Sequence, residues 1–388
     1  MKKRIEQLQQ EIKRKQLSGI LLFYSRDIFY YTGTAQPAIL VVLPIDYVLF
    51  IRSGYSFALR DVFINASKVR EERRMETIFN ELFSGATEKR IGIELDILPA
   101  TRLFEYQKIF DGFEFTDITP FVLEQRKTKD QDEIERMRKA GKVIDTGHQA
   151  VLSTLKENVS ELELAAAIEN AHRLAGHEGI FFFRLPDFFM SRGPISSGSN
   201  LFELSGVVYS ITGTGLTPSV PAGPSLRKIK KGDLVMVDIP VSVNGYHIDQ
   251  TRTYVLGKAN NEQKAMYADL KNIADYLIEN IKPGLKCSEI YKMAIERSKT
   301  LKYADAFLSF GKGKQSMLIG HSIGLEVNEP PTISSYDQSV IRENYVMAIE
   351  LHMLKEEIGV VKIEDTILIG KEKNEILTIS PRELCEVF

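Results

Sequence analysis

The chain has 388 residues, of which 44% are hydrophobic and 26% are charged, and its formal net charge is -2. This length exceeds what one hydrophobic core usually organises, so the sequence predicts two domains. The nearly balanced charge gives no electrostatic reason to expect a nucleic acid or a membrane as a partner. The composition is typical of a soluble globular protein.

Cysteine content and the N-terminal segment both bear on location. Cys287 and Cys385 are too few and too far apart for a disulfide framework, which favours a reducing compartment. The first residues, MKKRIEQLQQEIKRK, have polar helical periodicity in place of the apolar stretch of a signal peptide. No apolar run reaches the ~18 residues of a membrane span. We therefore expect a cytoplasmic protein.

Helix and strand patterns alternate in the N-terminal third of the chain. Ile5, Leu8 and Ile12 mark the apolar face of a first helix. Strand-like apolar runs follow at residues 19–24, 38–44, 47–51 and 91–95. These patterns predict a small α/β domain over residues 1–125.

A highly charged segment follows, and helical spacing begins within it. We place the domain boundary there and assign residues 126–388 to the second domain. Thr128 and Asp130 are both suitable N-caps for the helix. Ser160 and Glu163 form a capping-box pattern, which predicts the start of the next helix.

Two apolar strands surround Asn244-Gly245, the dipeptide most typical of a two-residue hairpin turn. With those residues in the turn, Asp249 faces Pro240 and lies diagonal to Asp238. Because side chains alternate along a strand, both carboxylates point to the same face, with Cα atoms ~7 to 8 Å apart. Such a pair can share one metal ion.

Glu350 and Glu364 form a second carboxylate pair inside apolar strands. Both are equidistant from Glu357, so a loop with an odd number of residues would set them opposite each other. Between the two pairs lies His321, whose flanking glycines suggest a bend that displays the imidazole. Four buried carboxylates need cations. The ligand set suits Mn, Co, Fe or Zn, its oxygens favour Mn, and two such ions can activate a bridging water.

Each of these residues, taken alone, has a simpler explanation. Asp249 would be a surface residue that pairs with Arg252, and His321 would be a hydrogen-bonded loop histidine. Glu350 and Glu364 would be charged residues at a sheet edge, where charge discourages aggregation. Two same-face carboxylate pairs together with a glycine-flanked histidine favour a metal site over these alternatives.

The five positions resemble the metal ligands of the metallopeptidase group of methionine aminopeptidase, aminopeptidase P, prolidase and creatinase, whose fold is called pita-bread. The matching segments are VDIPVSVNGYHIDQTRT, GHSIGLEVNEPP, AIEL and KIEDT, which place the ligands at Asp238, Asp249, His321, Glu350 and Glu364. The resemblance implies an α+β protein with a pita-bread domain and a smaller N-terminal creatinase-type α/β domain. It also implies two divalent ions and a general-base role for Glu350.

The chain departs from the hydrolytic relatives at positions that handle the substrate. Ser219 and Asn328 stand approximately where those relatives carry histidines, and Lys362 stands where they carry an arginine. Asn328 can donate a hydrogen bond to an oxyanion but cannot shuttle a proton at neutral pH. His247, as a substrate-binding residue, and His352, as a catalytic residue, are candidate replacements. A purely structural role is the alternative for both histidines.

Together these features predict a dinuclear-metal hydrolase, and the resemblance implies a Xaa-Pro dipeptidase or aminopeptidase that acts on short peptides and forms a homodimer. One alternative is a metal-dependent hydrolase of a small non-peptide amide or amidine, as in creatinase-like relatives. Another is a non-catalytic binding homologue. The aromatic, glycine-rich segment 181–206 is a candidate lining of the substrate pocket, with core packing and a dimer contact as alternatives.

Overall fold

The computed structural model describes residues 2–185, 193–207 and 210–388. Contacts between Cα atoms divide the chain into two compact units, Met1–Arg126 and Lys127–Phe388. Within the described ranges, no helix has both the length and the apolar character needed to cross a membrane.

The first unit combines helices with one mixed sheet. Its helices are α1 (Lys2–Lys15), α2 (Ser25–Thr32), α3 (Tyr55–Asp61), α4 (Met75–Leu82), α5 (Ala100–Ile109) and α6 (Thr119–Lys127). Its strands are β1 (Gly19–Leu22), β2 (Ala38–Val42), β3 (Tyr47–Ile51), β4 (Val69–Glu71), β5 (Arg90–Ile93) and β6 (Glu114–Asp117). They are ordered β4-β3-β2-β1-β5-β6 across the sheet.

The apolar periodicity of the sequence accounts for these elements. Ile5, Leu8 and Ile12 are all buried on α1, as their helical spacing predicts. The four apolar runs form β1, β2, β3 and β5; β3 coincides with its run, and the other three strands end two residues before their runs do. Every residue of β2 is buried, which explains why that strand is apolar without alternation.

The second unit is built on a larger sheet. Its helices are α7 (Gln131–Thr154), α8 (Glu161–Leu174), α9 (Asn261–Asn280) and α10 (Cys287–Ser298). Its strands are β7 (Ile195–Ser197), β8 (Leu234–Asp238), β9 (Val241–Val243), β10 (Tyr246–Ile248), β11 (Gln250–Leu256), β12 (Leu318–Ser322), β13 (Glu329–Ser334), β14 (Val346–Lys355), β15 (Gly359–Leu368), β16 (Glu375–Ile376) and β17 (Cys385–Val387). The sheet runs β13-β12-β14-β15-β11-β8-β7, with β16 on β15 and β17 on β11, and β9 pairs with β10 separately.

Capping residues set where α7 and α8 begin. Asp130 is the N-cap of α7 and exchanges hydrogen bonds with Glu133 in a capping box. Thr128, the other predicted cap, instead forms an isolated β-bridge with Tyr345. Ser160 caps α8 through the predicted capping box with Glu163.

The predicted hairpin register is correct, although the hairpin is divided. Asn244 and Gly245 have φ values of 51° and 81°, the positive angles that a type I′ turn requires. Thr251 pairs with Asp238 in the same register that the turn sets. Instead of two long strands, the segment forms β8 and β11 in the large sheet and β9 and β10 beside it. Pro240 contributes to the break because it has no N–H for the ladder.

The strands β14 and β15 form a second hairpin in the middle of the large sheet. Lys355 pairs with Gly359, so the turn has an odd number of residues and Glu350 pairs directly with Glu364. The sheet-edge alternative for these two glutamates is therefore wrong. The alternate residues, including Leu351, belong to a buried apolar cluster that contains residues of α9. The carboxylates thus occupy the opposite face.

Candidate metal centre

Five side chains converge on this face: Asp238, His321, Glu350 and Glu364 from four strands, and Asp249 from the junction between β10 and β11. The ligand atoms of Asp249, His321 and Glu364 lie within 4.8 Å of one another, as do those of Asp238, Glu350 and Glu364. Glu364 belongs to both groups. Its position is therefore that of a carboxylate able to bridge two ions.

Strand register explains why three of these residues, Asp238, Glu350 and Glu364, meet in one row with Thr251. Asp238 on β8 pairs with Thr251 on β11, Thr251 pairs with Glu364 on β15, and Glu364 pairs with Glu350 on β14. The four side chains form one row across the sheet, at the usual ~4.8 Å spacing between strands. The Thr251 hydroxyl donates to Glu364 Oε2 at 2.8 Å and orients that carboxylate.

His321 is brought to the row by a close approach of β12 to β14. Gly320 pairs with Ile349 and His321 pairs with Ala348, two residues before Glu350. A Cβ atom at Gly320 would lie 2.2 Å from the Ala348 carbonyl oxygen, so only glycine permits this strand pairing.

The imidazole of His321 is arranged as a metal ligand. Its Nδ1 lies 3.0 Å from the Ser322 carbonyl oxygen, an acceptor, so Nδ1 carries the proton and Nε2 carries a lone pair. Burial lowers the pKa of His321 and keeps the ring neutral. Nε2 lies 3.9 Å from Glu364 Oε1.

The chemistry of the donors fits a cation. Glu364 Oε1 is buried and has no hydrogen-bond partner among the described residues, while it faces the His321 lone pair. Burial is the main cause that raises the pKa of Asp249, and the negative charge of the neighbouring Asp238 adds to it. Burial is also the main cause that raises the pKa of Glu364, with Asp249 as the second cause. The crowded carboxylates thus resist ionisation without a positive partner, and divalent ions would supply one.

Lys362 lies inside the cluster and was not among the predicted site residues. Its Nζ contacts Asp238 Oδ2 and Glu350 Oε1 and lies 3.9 Å from Glu364 Oε2. The side chain is completely buried. Burial acts to lower the pKa of Lys362, but Asp238 and Glu350 outweigh it and raise that pKa above its ordinary value, so the ammonium is charged. Lys362 and Glu364 are two residues apart on β15, so their side chains lie on the same face of the strand, and this spacing could have identified Lys362 from the sequence.

A cavity of about 330 Å³ opens beside the cluster. Four of the predicted ligands line it, Asp238, Asp249, His321 and Glu350, together with Asn328. The remaining walls are partly apolar and include Leu185, Pro194, Val207, Ile211, Leu318, Val327 and Pro330. Residues 186–192 of the aromatic segment lie outside the described residues, but its positions 185 and 194 do line the cavity, as predicted for part of that segment.

Comparisons with known proteins agree with this geometry. Residues 135–371 match Metallopeptidase family M24, and residues 4–128 match the Creatinase/Prolidase N-terminal domain. The chain belongs to metallopeptidase family M24. The predicted pita-bread fold with a creatinase-type N-terminal domain is thereby confirmed.

Named M24 relatives resemble the chain over its whole length. A Xaa-Pro dipeptidase of Pyrococcus furiosus is 26% identical over 390 residues, which cover 99% of this chain and 100% of that protein. The prolidase structure from Pyrococcus horikoshii OT3 has a TM-score of 0.81 at 26% identity and covers 98% of this chain and 99% of its own. The X-Pro aminopeptidase structure from Thermotoga maritima MSB8 has a TM-score of 0.79 at 22% identity, with 99% of both chains covered, and shows the shared fold.

In this M24 chain His352 packs against Ser309 and Phe310. Its Nε2 lies 3.2 Å from the Ser309 carbonyl oxygen, and its ring stacks on Phe310 with centroids 4.9 Å apart. Burial, together with the smaller effect of the nearby Lys362 charge, lowers the pKa of His352 to about 4. Although strand parity places it with Glu350, it is not among the described residues that line the cavity. The ring therefore has a packing role here, and the predicted catalytic role is not supported.

Two predicted substrate-binding residues also lie elsewhere. His247 is fully buried; its Nδ1 lies 3.0 Å from the Gly324 carbonyl oxygen, and its Nε2 accepts from the Phe182 N–H at 3.3 Å. Both nitrogens thus serve to hold loops. Ser219 is exposed, and its hydroxyl lies 2.7 Å from that of Thr217. Of the three predicted substrate-binding residues, the structure brings only Asn328 to the described cavity wall.

A buried ion-pair network supports the row of ligands from behind. Asp365 accepts hydrogen bonds from Arg252 at 2.6 Å and from Arg382 at 2.7 Å. Arg252 also donates to the Glu364 carbonyl oxygen at 2.6 Å and so ties β11 to β15. The alternative pairing of Arg252 with Asp249 is wrong, since Asp249 is buried and faces the cavity.

Proposed function

We propose that this chain is a dinuclear-metal hydrolase that cleaves the Xaa-Pro bond of short peptides, as a dipeptidase or an aminopeptidase. The observation that carries the proposal is the cluster of four carboxylates and one imidazole at the wall of a partly apolar cavity. The names of the full-length relatives, a Xaa-Pro dipeptidase and a prolidase, support the choice of substrate class.

The two ligand groups define where ions would be held. Asp249, His321 and Glu364 would hold one ion, and Asp238, Glu350 and Glu364 would hold the other. We propose manganese as the native metal because oxygen ligands outnumber nitrogen in this set. Bound divalent ions supply the Lewis acidity that polarises a carbonyl group and lowers the pKa of water.

The chain's own residues then bind the peptide and move its protons. Glu350, at the cavity wall, takes the proton of the attacking water as general base. Asn328 donates a hydrogen bond to the oxygen of the scissile carbonyl as its negative charge develops. Apolar walls that include Ile211, Leu318 and Val327 accept the proline ring and the preceding side chain. The volume, at the lower end of the ~300 to 1,000 Å³ of ligand pockets, favours short peptides.

The test is a metal-dependent activity screen on the full-length chain. Metal-free protein reloaded with Mn²⁺ should cleave Xaa-Pro dipeptides or Xaa-Pro-Yaa tripeptides and should leave matched peptides with alanine in place of proline uncleaved. The His321→Ala variant, which lacks the nitrogen ligand, should be inactive on all of them. Binding of the metal without hydrolysis of any Xaa-Pro peptide would overturn the proposed substrate class.

One observation favours a second candidate, the hydrolysis of a small non-peptide amide or amidine. Of the described residues that line the cavity, His321 is the sole histidine, and its nitrogen faces the metal ligands. Asn328 cannot shuttle a proton to a leaving amine. Activity on small amides and amidines that exceeds activity on Xaa-Pro dipeptides would select this candidate. A chain that binds no divalent ion would instead be a non-catalytic homologue.

Three further predictions accompany the proposal. We expect manganese to be the bound metal, and elemental analysis of protein purified without added metal measures it. We expect a homodimer, as the resemblance implies, and light scattering on a sizing column measures the molar mass in solution. The cytoplasmic location accords with the two cysteines, Cys287 and Cys385, which are both unpaired, and is measured by cell fractionation.

A further inference from the structure

We propose that the first unit has a ligand site of its own, which binds a small phosphorylated molecule. The site is a cavity of about 430 Å³, here called the basic cavity, between the start of α4, one face of α5 and the adjoining ends of β2 and β3. It lies wholly within the unit Met1–Arg126. The inference therefore goes beyond the proposed hydrolase, whose metal ligands all belong to the second unit.

The walls of the basic cavity carry a strong positive charge. Two carboxylates, those of Glu76 and Glu105, line it against five cationic side chains, those of Arg52, Arg73, Arg74, Arg102 and Lys108. The lining thus has a formal charge of +3, although the whole chain has a net charge of -2. Cations that converge on one concave surface repel each other, so an anion bound among them is stabilised.

Most of these cations are available to a ligand. Arg102 lies 2.8 Å from Glu105 on the same helix, and Arg74 lies 3.7 Å from Glu72. No hydrogen bond or ion pair within the described part of the chain engages the side chains of the other three, Arg52, Arg73 and Lys108. A guanidinium group presents paired N–H donors that match phosphate oxygens, so the two arginines of this set can each hold a phosphate.

Tyr106 directs an unused hydroxyl group to the basic cavity. The residue is only 7% exposed and lines the cavity from α5, with Arg102, Glu105 and Ile109 at helical spacing on the same face. Phe23 stacks on its ring, with centroids 5.2 Å apart, and holds it in place. The hydroxyl has no hydrogen-bond partner among the residues described, although polar groups of buried side chains are nearly always paired. A phosphate oxygen in the cavity would accept this hydrogen bond.

Electrostatics connect the tyrosine to the arginines. Burial raises the pKa of Tyr106, while the charges of Arg52 and Arg102 act to lower it. These two cations come from different elements, since Arg52 follows β3 and Arg102 belongs to α5. A phosphate that accepts from the Tyr106 hydroxyl would therefore have two guanidinium groups beside it.

The start of α4 adds backbone donors to the same cavity. This helix has eight residues, and its N-cap, Arg74, makes no side-chain capping bond. Met75 and Glu76, its first two residues, line the cavity. The N–H groups of these two residues and of Thr77 have no acceptor in the described ranges. Unsatisfied N–H groups at a helix N-terminus favour a phosphate.

The apolar part of the lining restricts the ligand further. Ile39, Met75 and Ile109 contribute apolar surface to the basic cavity, whose volume lies in the ~300 to 1,000 Å³ range of small-molecule sites. An inorganic phosphate ion would leave this surface and most of the volume unfilled. The cavity therefore fits a phosphate ester with a partly apolar body, such as a nucleoside monophosphate.

The experiment is a calorimetric titration of the full-length protein with AMP, inorganic phosphate and adenosine. AMP should bind at one site, and its affinity should fall as the salt concentration rises. Inorganic phosphate should bind at least about tenfold more weakly, because it buries no apolar surface. Adenosine, which lacks the anion, should give no measurable binding. Removal of metal ions should leave the affinity for AMP unchanged, since no metal ligand lines this cavity.

Variants locate the binding within the first unit. Arg52→Gln and Arg73→Gln, at exposed positions, should each weaken AMP binding by about tenfold or more. Tyr106→Phe, which removes only the hydroxyl, should weaken it by about threefold to tenfold. Arg60→Gln is the matched control, because Arg60 is an exposed arginine on α3 that does not line the cavity, and it should bind AMP as the wild type does.

Three results would overturn the inference. They are the absence of AMP binding to the wild type, an unchanged affinity in both Arg52→Gln and Arg73→Gln, and a loss of binding when metal ions are removed. Equal affinities for AMP and inorganic phosphate would overturn the assignment of the ligand as a phosphate ester. Should Tyr106→Phe not fold, the two arginine variants decide. Hydrolysis of Xaa-Pro peptides is assayed in parallel, and its failure would leave this site intact because none of the cavity residues belongs to the metal centre.

Discussion

Glu350 and Glu364 lie directly opposite each other on β14 and β15, yet only Glu364 belongs to both ligand groups. Replacing each by glutamine should therefore have different effects. Glu364→Gln should weaken the binding of both ions. The loss of affinity should exceed the ~10- to 100-fold that is typical when a residue that only supports a ligand is replaced. Glu350→Gln should retain one ion in the Asp249–His321–Glu364 group but abolish turnover, because it removes the proposed base.

Metal content after gel filtration and hydrolysis of a Xaa-Pro dipeptide measure these two effects separately. The control is Glu357→Gln, an exposed glutamate in the turn of the same hairpin, which should alter neither quantity. Equal metal loss in Glu350→Gln and Glu364→Gln would contradict the bridging position of Glu364.

Asn328 is the predicted substrate-binding residue that reaches the cavity. Asn328→Ala should lower kcat by on the order of 10²- to 10³-fold with a smaller change in KM, since its hydrogen bond strengthens as charge develops on the carbonyl oxygen. Ser219→Ala is the matched control, because Ser219 is exposed and its hydroxyl meets that of Thr217. Steady-state kinetics measure both; a large effect of Ser219→Ala would show that this loop does reach the substrate.

Asp365 holds the guanidinium groups of Arg252 and Arg382. Burial acts to raise the pKa of Asp365, but the two arginines outweigh it and lower that pKa below its ordinary value. Asp365→Asn should destabilise the fold by about 3 to 5 kcal/mol because it leaves buried positive charge uncompensated. Asp305→Asn removes an exposed partner of Lys355 and should cost no more than about 1 kcal/mol. Urea unfolding of the metal-free proteins compares them, and equal losses would mean that the buried network contributes nothing special.

His172 on α8 makes stability depend on pH. Its Nε2 lies 3.2 Å from the Ile144 carbonyl oxygen, its Nδ1 has no partner among the described residues, and burial lowers its pKa to about 4. The unfolded chain, with a histidine pKa near 6.5, takes up the proton first, so stability present at pH 7 is lost as the pH falls towards 4. Between pH 7 and pH 5 this loss should be about 2 kcal/mol.

The variant His172→Leu cannot bind that proton. The difference in unfolding free energy between wild type and variant should therefore shrink by the same about 2 kcal/mol over this pH interval. Leu174→Ala, at an exposed position on the same helix, should show no such change. A difference that stays constant with pH would mean that His172 is protonated in the folded protein as readily as in the unfolded chain.

Much of the site could be predicted from sequence because short-range geometry determines it. The Asn244-Gly245 turn sets the register that carries Asp238 and Asp249, and the odd loop around Glu357 sets Glu350 opposite Glu364. Such turns act over a few residues, so their consequences follow from spacing alone.

The surroundings of the site could not be predicted in this way. His352 shares the strand face of Glu350, but whether it meets the cavity or Phe310 depends on the chain near residue 309, which is distant in sequence. The sequence marks Lys362 only as a substitution, since its contact with Asp238 requires β8 and β15 to lie on either side of β11. Strand order across a large sheet is long-range information that no local pattern carries.

The row Asp238–Thr251–Glu364–Glu350 has a consequence for assembly. Its members come from β8, β11, β15 and β14, so no single hairpin of the second unit contains the complete centre. Loop closure over more than a hundred residues must precede capture of a metal by all its ligands. Occupancy of the centre therefore reports on assembly of the central strands of the sheet, and a truncated or circularly permuted chain that still binds the ion at all these ligands has rebuilt those strands.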